Sequence, residues 1–127
     1  MSRETARMAT RAFALTRGAI GVAALLAPGV LASGWVDKSE ARMPGSRVLA
    51  RALGGRDVAL AAGIMLSLRH DAPARGWVEG AGLADAMDTL ATILSFRSLP
   101  SPNRWAVLSL AGAGIAASRI LSQVIDG

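Results

Sequence analysis

Four apolar stretches, each near the length of a bilayer-crossing helix, constrain this chain more than any other feature. Residues 18–36 carry no charged side chain over 19 positions, close to the roughly 20 a helix needs to span hydrocarbon. Residues 48–68 are apolar except for Arg51, Arg56 and Asp57, residues 77–96 except for Glu79, Asp85 and Asp88, and residues 105–125 except for Arg119. The breaks between them have loop chemistry. Pro44-Gly45 sits in one polar run and Pro73 in the next; the third holds Pro100 and Pro102 with the helix-capping candidates Ser101 and Asn103. Ala, Leu and Gly fill the stretches, and β-branched alternation is missing. The pattern predicts an all-α fold, a four-helix transmembrane up-down bundle. It forms one membrane domain over residues 1–127, with helices at about 11–35, 47–69, 76–96 and 104–125.

Composition supports a membrane setting. Hydrophobic residues make up 52%, mean hydropathy is +0.40, and charged residues are 18%, below the roughly 25% of an ordinary soluble domain. The lack of cysteine excludes disulfides, thiolate metal sites and cysteine nucleophiles. Net charge is +5, carried almost wholly by arginine. The arginines border the apolar runs instead of interleaving with aromatics, which fits lipid headgroups and argues against nucleic acid. Trp35, Trp77 and Trp105 all fall at stretch ends, where indoles sit at headgroup level. Arginine with abundant Ala and Gly also suggests a high-GC bacterial source.

Arg3, Arg7, Arg11 and Arg17 precede the first run, and Arg69 and Arg75 share their side; Lys38, Arg42, Arg47, Arg97 and Arg104 lie opposite. That margin of one predicts a multi-pass protein of the bacterial inner membrane with both termini cytoplasmic. Leu31-Ala32-Ser33 resembles a signal-peptide cleavage site, but the run before it is longer than a signal core, so a retained helix is expected. Small residues four apart (Gly76 with Gly80, Ala59 with Gly63, Gly112 with Ala116) are candidates for close helix contact.

The charges inside the stretches are the candidate site. Arg56 and Asp57 fall near the middle of the second stretch, and Asp85 and Asp88 near the middle of the third, so all four share one depth. Each charge at a helix centre costs roughly 2.5–3.5 kcal/mol on insertion scales. Helices 2 and 3 are therefore expected to be the interior pair, with helix 1 as their lipid-facing shield. Asp85, Asp88, Thr89, Thr92 and Ser95 share one helical face as a polar stripe. Arg56 and Asp57 point about 100° apart, so Arg56 is expected to reach an aspartate on helix 3 and not Asp57. One arginine against three aspartates leaves two uncompensated charges, which calls for a proton, a cation or a further basic group such as Arg51 or Arg119.

Other signals carry less. Residues 112–117 match G-x-G-x-x-A, but no strand precedes them, so no dinucleotide site is expected. Asp85-x-x-Asp88 lacks the rest of the motifs that hold divalent metal on prenyl- and alcohol-phosphate transferases. No cofactor and no metal are expected. His70 belongs to a solvated loop, Glu79 to the interface, and Pro28 to a kink in helix 1.

Taken together, residues 17–31, 49–69 and 75–91 and the proline loop before a fourth Ala-rich helix resemble small four-helix integral membrane proteins of unknown function from high-GC Gram-positive bacteria. They are more loosely similar to DoxX-like bundles. The resemblance covers nearly the whole chain and implies the fold; it implies no activity.

Three functions are open. The first is a binding or transport module in which Arg56, Asp57, Asp85, Asp88, Thr89 and Thr92 hold a proton, a cation or a polar or lipid ligand between helices 2 and 3. The second is a membrane-embedded lipid or terpenoid isomerase, cyclase or epoxide hydrolase, with Asp85 and Asp88 as the acid–base pair. The third is an accessory subunit of a larger membrane complex, whose charges lock packing. Expected partners are membrane lipid, a small hydrophobic or cationic ligand, and further copies of the chain.

Overall fold

The computed structural model describes residues 1–99 and 103–127; Ser101, one of the two capping candidates, lies outside them. The described residues are helical, with no strand. In chain order they form α1 (Arg3–Leu26), α2 (Pro28–Ala32), α3 (Lys38–Ala41), α4 (Pro44–Arg69), α5 (Arg75–Leu94), one 3-10 turn (Phe96–Ser98) and α6 (Asn103–Val124).

The first apolar stretch is not one helix. Proline has no N–H to continue a ladder and pushes its predecessor out of the helical region. Ala27 accordingly sits at φ −130°, ψ 63°, and Pro28 opens the short α2. The expected helix over 11–35 is therefore replaced by α1, which begins eight residues earlier and stops at Leu26. Pro28 breaks the helix and does not merely kink it. Ser2 starts α1 by accepting the Thr5 N–H at 3.1 Å. α5 has no capping side chain of its own at Ala74. The carboxylate of Asp126, from beyond α6, accepts the N–H groups of Ala74 and Arg75 at 3.0 Å each.

The long helices pack as two antiparallel hairpins, α1 along α4 and α5 along α6, which meet more lightly across α4–α5 and α1–α6. This corrects the expected pairing of helices 2 and 3 behind a shielding helix 1. α1 and α4 approach most closely at Gly21 and Gly54, where a methyl group on either would lie 2.6 Å from the other's carbonyl oxygen. Of the small-residue pairs picked from spacing, Gly76 and Gly112 face open space, and Gly63 instead makes room for the Trp77 ring. Besides Gly63, the close contacts fall on Gly21, Gly54, Gly82 and Gly114.

Polarity is partly inverted. Buried positions include Thr10, Arg17, Ser67, Asp85, Thr92, Ser118 and Ser122 among many alanines, whereas Leu26 and Leu94 are 80% and 78% exposed. Among the described residues, two helices, α1 and α6, are long and apolar enough to cross a membrane; α4 and α5, which were also expected to span, are not among them. The tryptophans divide: Trp77 and Trp105 are exposed, while Trp35 is half-buried and donates its indole N–H to Thr92 Oγ1 at 3.2 Å.

Candidate functional site

The site grows from the Gly21–Gly54 contact. Arg17 lies one turn before Gly21 on α1, and Asp57 three residues after Gly54 on α4. In an antiparallel pair those offsets bring the two side chains level. Arg17 Nη1 donates to Asp57 Oδ1 at 2.8 Å. Its other terminal nitrogen, Nη2, donates to Asp85 Oδ2 and, at 3.5 Å, to the Ala81 carbonyl on α5. Arg17 is only 7% exposed, and its guanidinium carbon stands 5.5 Å from the Phe13 ring centre. Its Nε is buried without a hydrogen-bond partner.

Arg56 makes the second half. Nη1 and Nη2 grip Asp88 as a fork, at 2.9 and 2.8 Å, the bidentate geometry for which guanidinium is suited. Arg56 also turns back onto Asp57 Oδ1, with Nη2 at 3.1 Å and Nε at 3.3 Å. Sequence neighbours were expected to miss each other; the long arginine stem closes the gap that their 100° separation opens. Asp57 Oδ1 thus receives both arginines, and the five groups run Asp85–Arg17–Asp57–Arg56–Asp88 with alternating sign. Two guanidiniums against three carboxylates leave one negative charge in excess.

Asp85 lies against α6 at Gly114, where a methyl group would strike its carboxylate. The structure therefore brings Arg56, Asp57, Asp85 and Asp88 together from two hairpins. Arg51 and Arg119 do not join them: Arg51 Nε donates to the Leu25 carbonyl, and Arg119 stands exposed on α6. The polar stripe behaves differently from expectation. Thr89 and Thr92 donate their hydroxyls to the carbonyls of Asp85 and Asp88, one turn back at 2.8 and 2.7 Å, and Ser95 is the exposed cap of α5. The threonines are thus occupied by backbone, and Thr92 additionally by Trp35.

Arg17 is the residue that sequence reasoning missed as part of the site. Its signal was present in register: Ala6, Thr10, Ala14, Arg17, Gly21 and Ala24 form the buried stripe of α1 at spacings of three and four. Within it Arg17 is the single charge. An uncharged window starting at Gly18 concealed this, because it made Arg17 look like a flank.

Among the described residues no group of three or more carboxylate or histidine side chains could share a metal ion. Two open surface grooves, one beside Arg7 and Arg69 and one between Leu83 and Ile115, are lined by none of the five network residues. Family models, curated proteins and solved structures give no match to this chain.

Proposed function

We propose that the chain is a multi-pass integral membrane protein whose four long helices enclose a proton- or cation-binding network. The supporting observation is the Asp85–Arg17–Asp57–Arg56–Asp88 chain, buried at Arg17 and Asp85 and half-buried at the other three, with one carboxylate in excess, in a bundle that exposes leucines such as Leu26 and Leu94. In water that outer surface would be costly, and in lipid it is satisfied. Arg56 and Asp57 on α4 and Asp85 and Asp88 on α5 each oppose a charge on another helix, so insertion does not present these four singly to hydrocarbon. An excess negative charge in such an interior favours uptake of one proton or one monovalent cation. The one uncompensated carboxylate is what supports reading the chain as a binding or transport module.

The accessory-subunit reading has its own support: every aspartate of the network faces an arginine, as in a packing lock. The lipid or terpenoid enzyme has less, since neither groove reaches Asp85 or Asp88. The orientation with both termini cytoplasmic rested on Arg17 as a flanking residue. With Arg17 inside, five flanking basic residues remain at each end, and charge favours neither orientation.

The test is infrared spectroscopy of the full chain in lipid with isotope-labelled aspartate, at neutral pH and with sodium and potassium varied. A carboxylic-acid band that disappears in Asp85→Asn or Asp88→Asn, or that yields to added cation, is expected. Three fully ionised aspartates unaffected by either cation would overturn the proposal and leave the packing lock.

A further inference from the structure

We propose that the open groove between the start of α1 and the end of α4 binds the headgroup of an anionic phospholipid. This rests on the membrane-embedded reading above. The groove has a volume of about 680 Å³ and is lined by Arg7, Arg11 and Arg69. Arg11 follows Arg7 by one turn on α1, and Arg69 is the last residue of α4, on the facing helix. One carboxylate, Asp71, shares the lining, so the groove carries a net charge of +2.

Arg7 and Asp71 are held in place. Arg7 Nη2 donates to the Leu68 carbonyl at 2.6 Å and pairs with Asp71 Oδ1 at 3.0 Å. Asp71 sits at φ 51° in the turn that ends α4, where the Ala72 N–H reaches back to the Ser67 carbonyl at 2.9 Å. Arg11 and Arg69, by contrast, are exposed and make no ion pair among the described residues. Two unpaired guanidiniums beside a fixed third form a donor set for phosphate oxygens.

The floor decides the source of the phosphate. Met65, Leu66 and Leu68 supply the apolar part of the lining, and Leu66 is 54% exposed. A free anion has no use for an apolar floor, whereas a phospholipid lays its glycerol and first methylenes there while the arginines reach its headgroup. The groove also lies at one end of the bundle, beside the α4–α5 turn, at headgroup depth if the long helices span.

Native mass spectrometry of the full chain released from nanodiscs of equal parts phosphatidylglycerol and phosphatidylcholine tests this. Phosphatidylglycerol is expected to be retained about twenty-five-fold over phosphatidylcholine, since each of the two unpaired guanidiniums near an anionic surface contributes about fivefold. Arg11→Gln with Arg69→Gln should abolish the preference, and Arg11→Lys with Arg69→Lys should keep most of it. If the double glutamine variant fails to insert, Arg69→Gln alone, at an exposed helix end, should lower the preference about fivefold. Equal retention of both lipids by the unaltered chain, or an undiminished preference in the glutamine variants, overturns the proposal. Displacement of the lipid by inorganic phosphate also overturns it, in favour of a free-anion site. Retention in carbonate-washed membranes without lipid preference defeats this proposal alone; release by carbonate defeats the membrane reading and this proposal with it.

Discussion

In the α1–α4 hairpin, glycine removes side chains so that two backbones touch, at Gly21 and Gly54. In the α5–α6 hairpin, glycine leaves space for a polar side chain of the neighbouring helix, Ser118 at Gly82 and Asp85 at Gly114. The same residue type thus sets distance in one hairpin and places a charge in the other. Arg17 links the two uses, because the close α1–α4 approach brings it level with Asp57 while its other nitrogen reaches Asp85. The network is therefore a property of how the hairpins meet and not of either alone.

The sharpest way to break this comparison is to remove the link. Arg17→Gln leaves Asp85 without its cation in the interior, and a loss of about 3 kcal/mol is expected from buried-pair behaviour, measured by chemical unfolding in detergent. A loss near zero would mean that the hairpins hold independently of the network. Next comes Gly54→Ala. Its methyl group meets the Gly21 carbonyl at 2.6 Å, so two backbones must separate. A loss of about 2 kcal/mol is expected from overpacking, even though alanine improves helix propensity by about 1 kcal/mol.

Gly114→Ala should cost less in stability than Gly54→Ala, because only the Asp85 carboxylate must move. Its larger effect should appear in the infrared carboxyl band, since Asp85 is pushed away from Arg17. Equal stability losses for the two glycines would erase the distinction between the hairpins. Thr92→Val removes the acceptor of the Trp35 indole N–H, and a loss of about 1 kcal/mol is expected, together with a change in tryptophan emission. The smallest effect belongs to Asp71→Gly. Relief of a left-handed non-glycine residue offsets the loss of an exposed ion pair with Arg7, so stability should stay within about 0.5 kcal/mol. The same substitution removes the groove's single carboxylate and should tighten phosphatidylglycerol retention.

Much of the helical layout was legible beforehand. Residues 44–69 and 75–94 were predictable because Pro44, Pro73 and the polar runs around them interrupt long apolar periods. The first helix was misplaced because hydropathy weighed residues 18–36 as a unit, while the missing N–H of Pro28 outweighed their apolarity. The polar positions on α4 and α5 were legible as charges within apolar helices, where a buried charge needs a partner. Which partner it finds was not legible. Arg17 entered the reading as a topology marker, and Thr89 and Thr92 as ligand groups, yet burial turned the first inward and local back-bonding engaged the other two.

By itself, the sequence determined that this chain is helical, where its long helices α4, α5 and α6 run, and that Arg56, Asp57, Asp85 and Asp88 stand within two neighbouring apolar helices. Periodicity, proline and hydropathy are local properties, and they suffice for that. Only the tertiary structure decided that α1 pairs with α4, that Arg17 bridges Asp57 and Asp85, and that one negative charge rather than two is left uncompensated. Those outcomes depend on the distance between helices, which Gly21 and Gly54 set together from positions 33 residues apart.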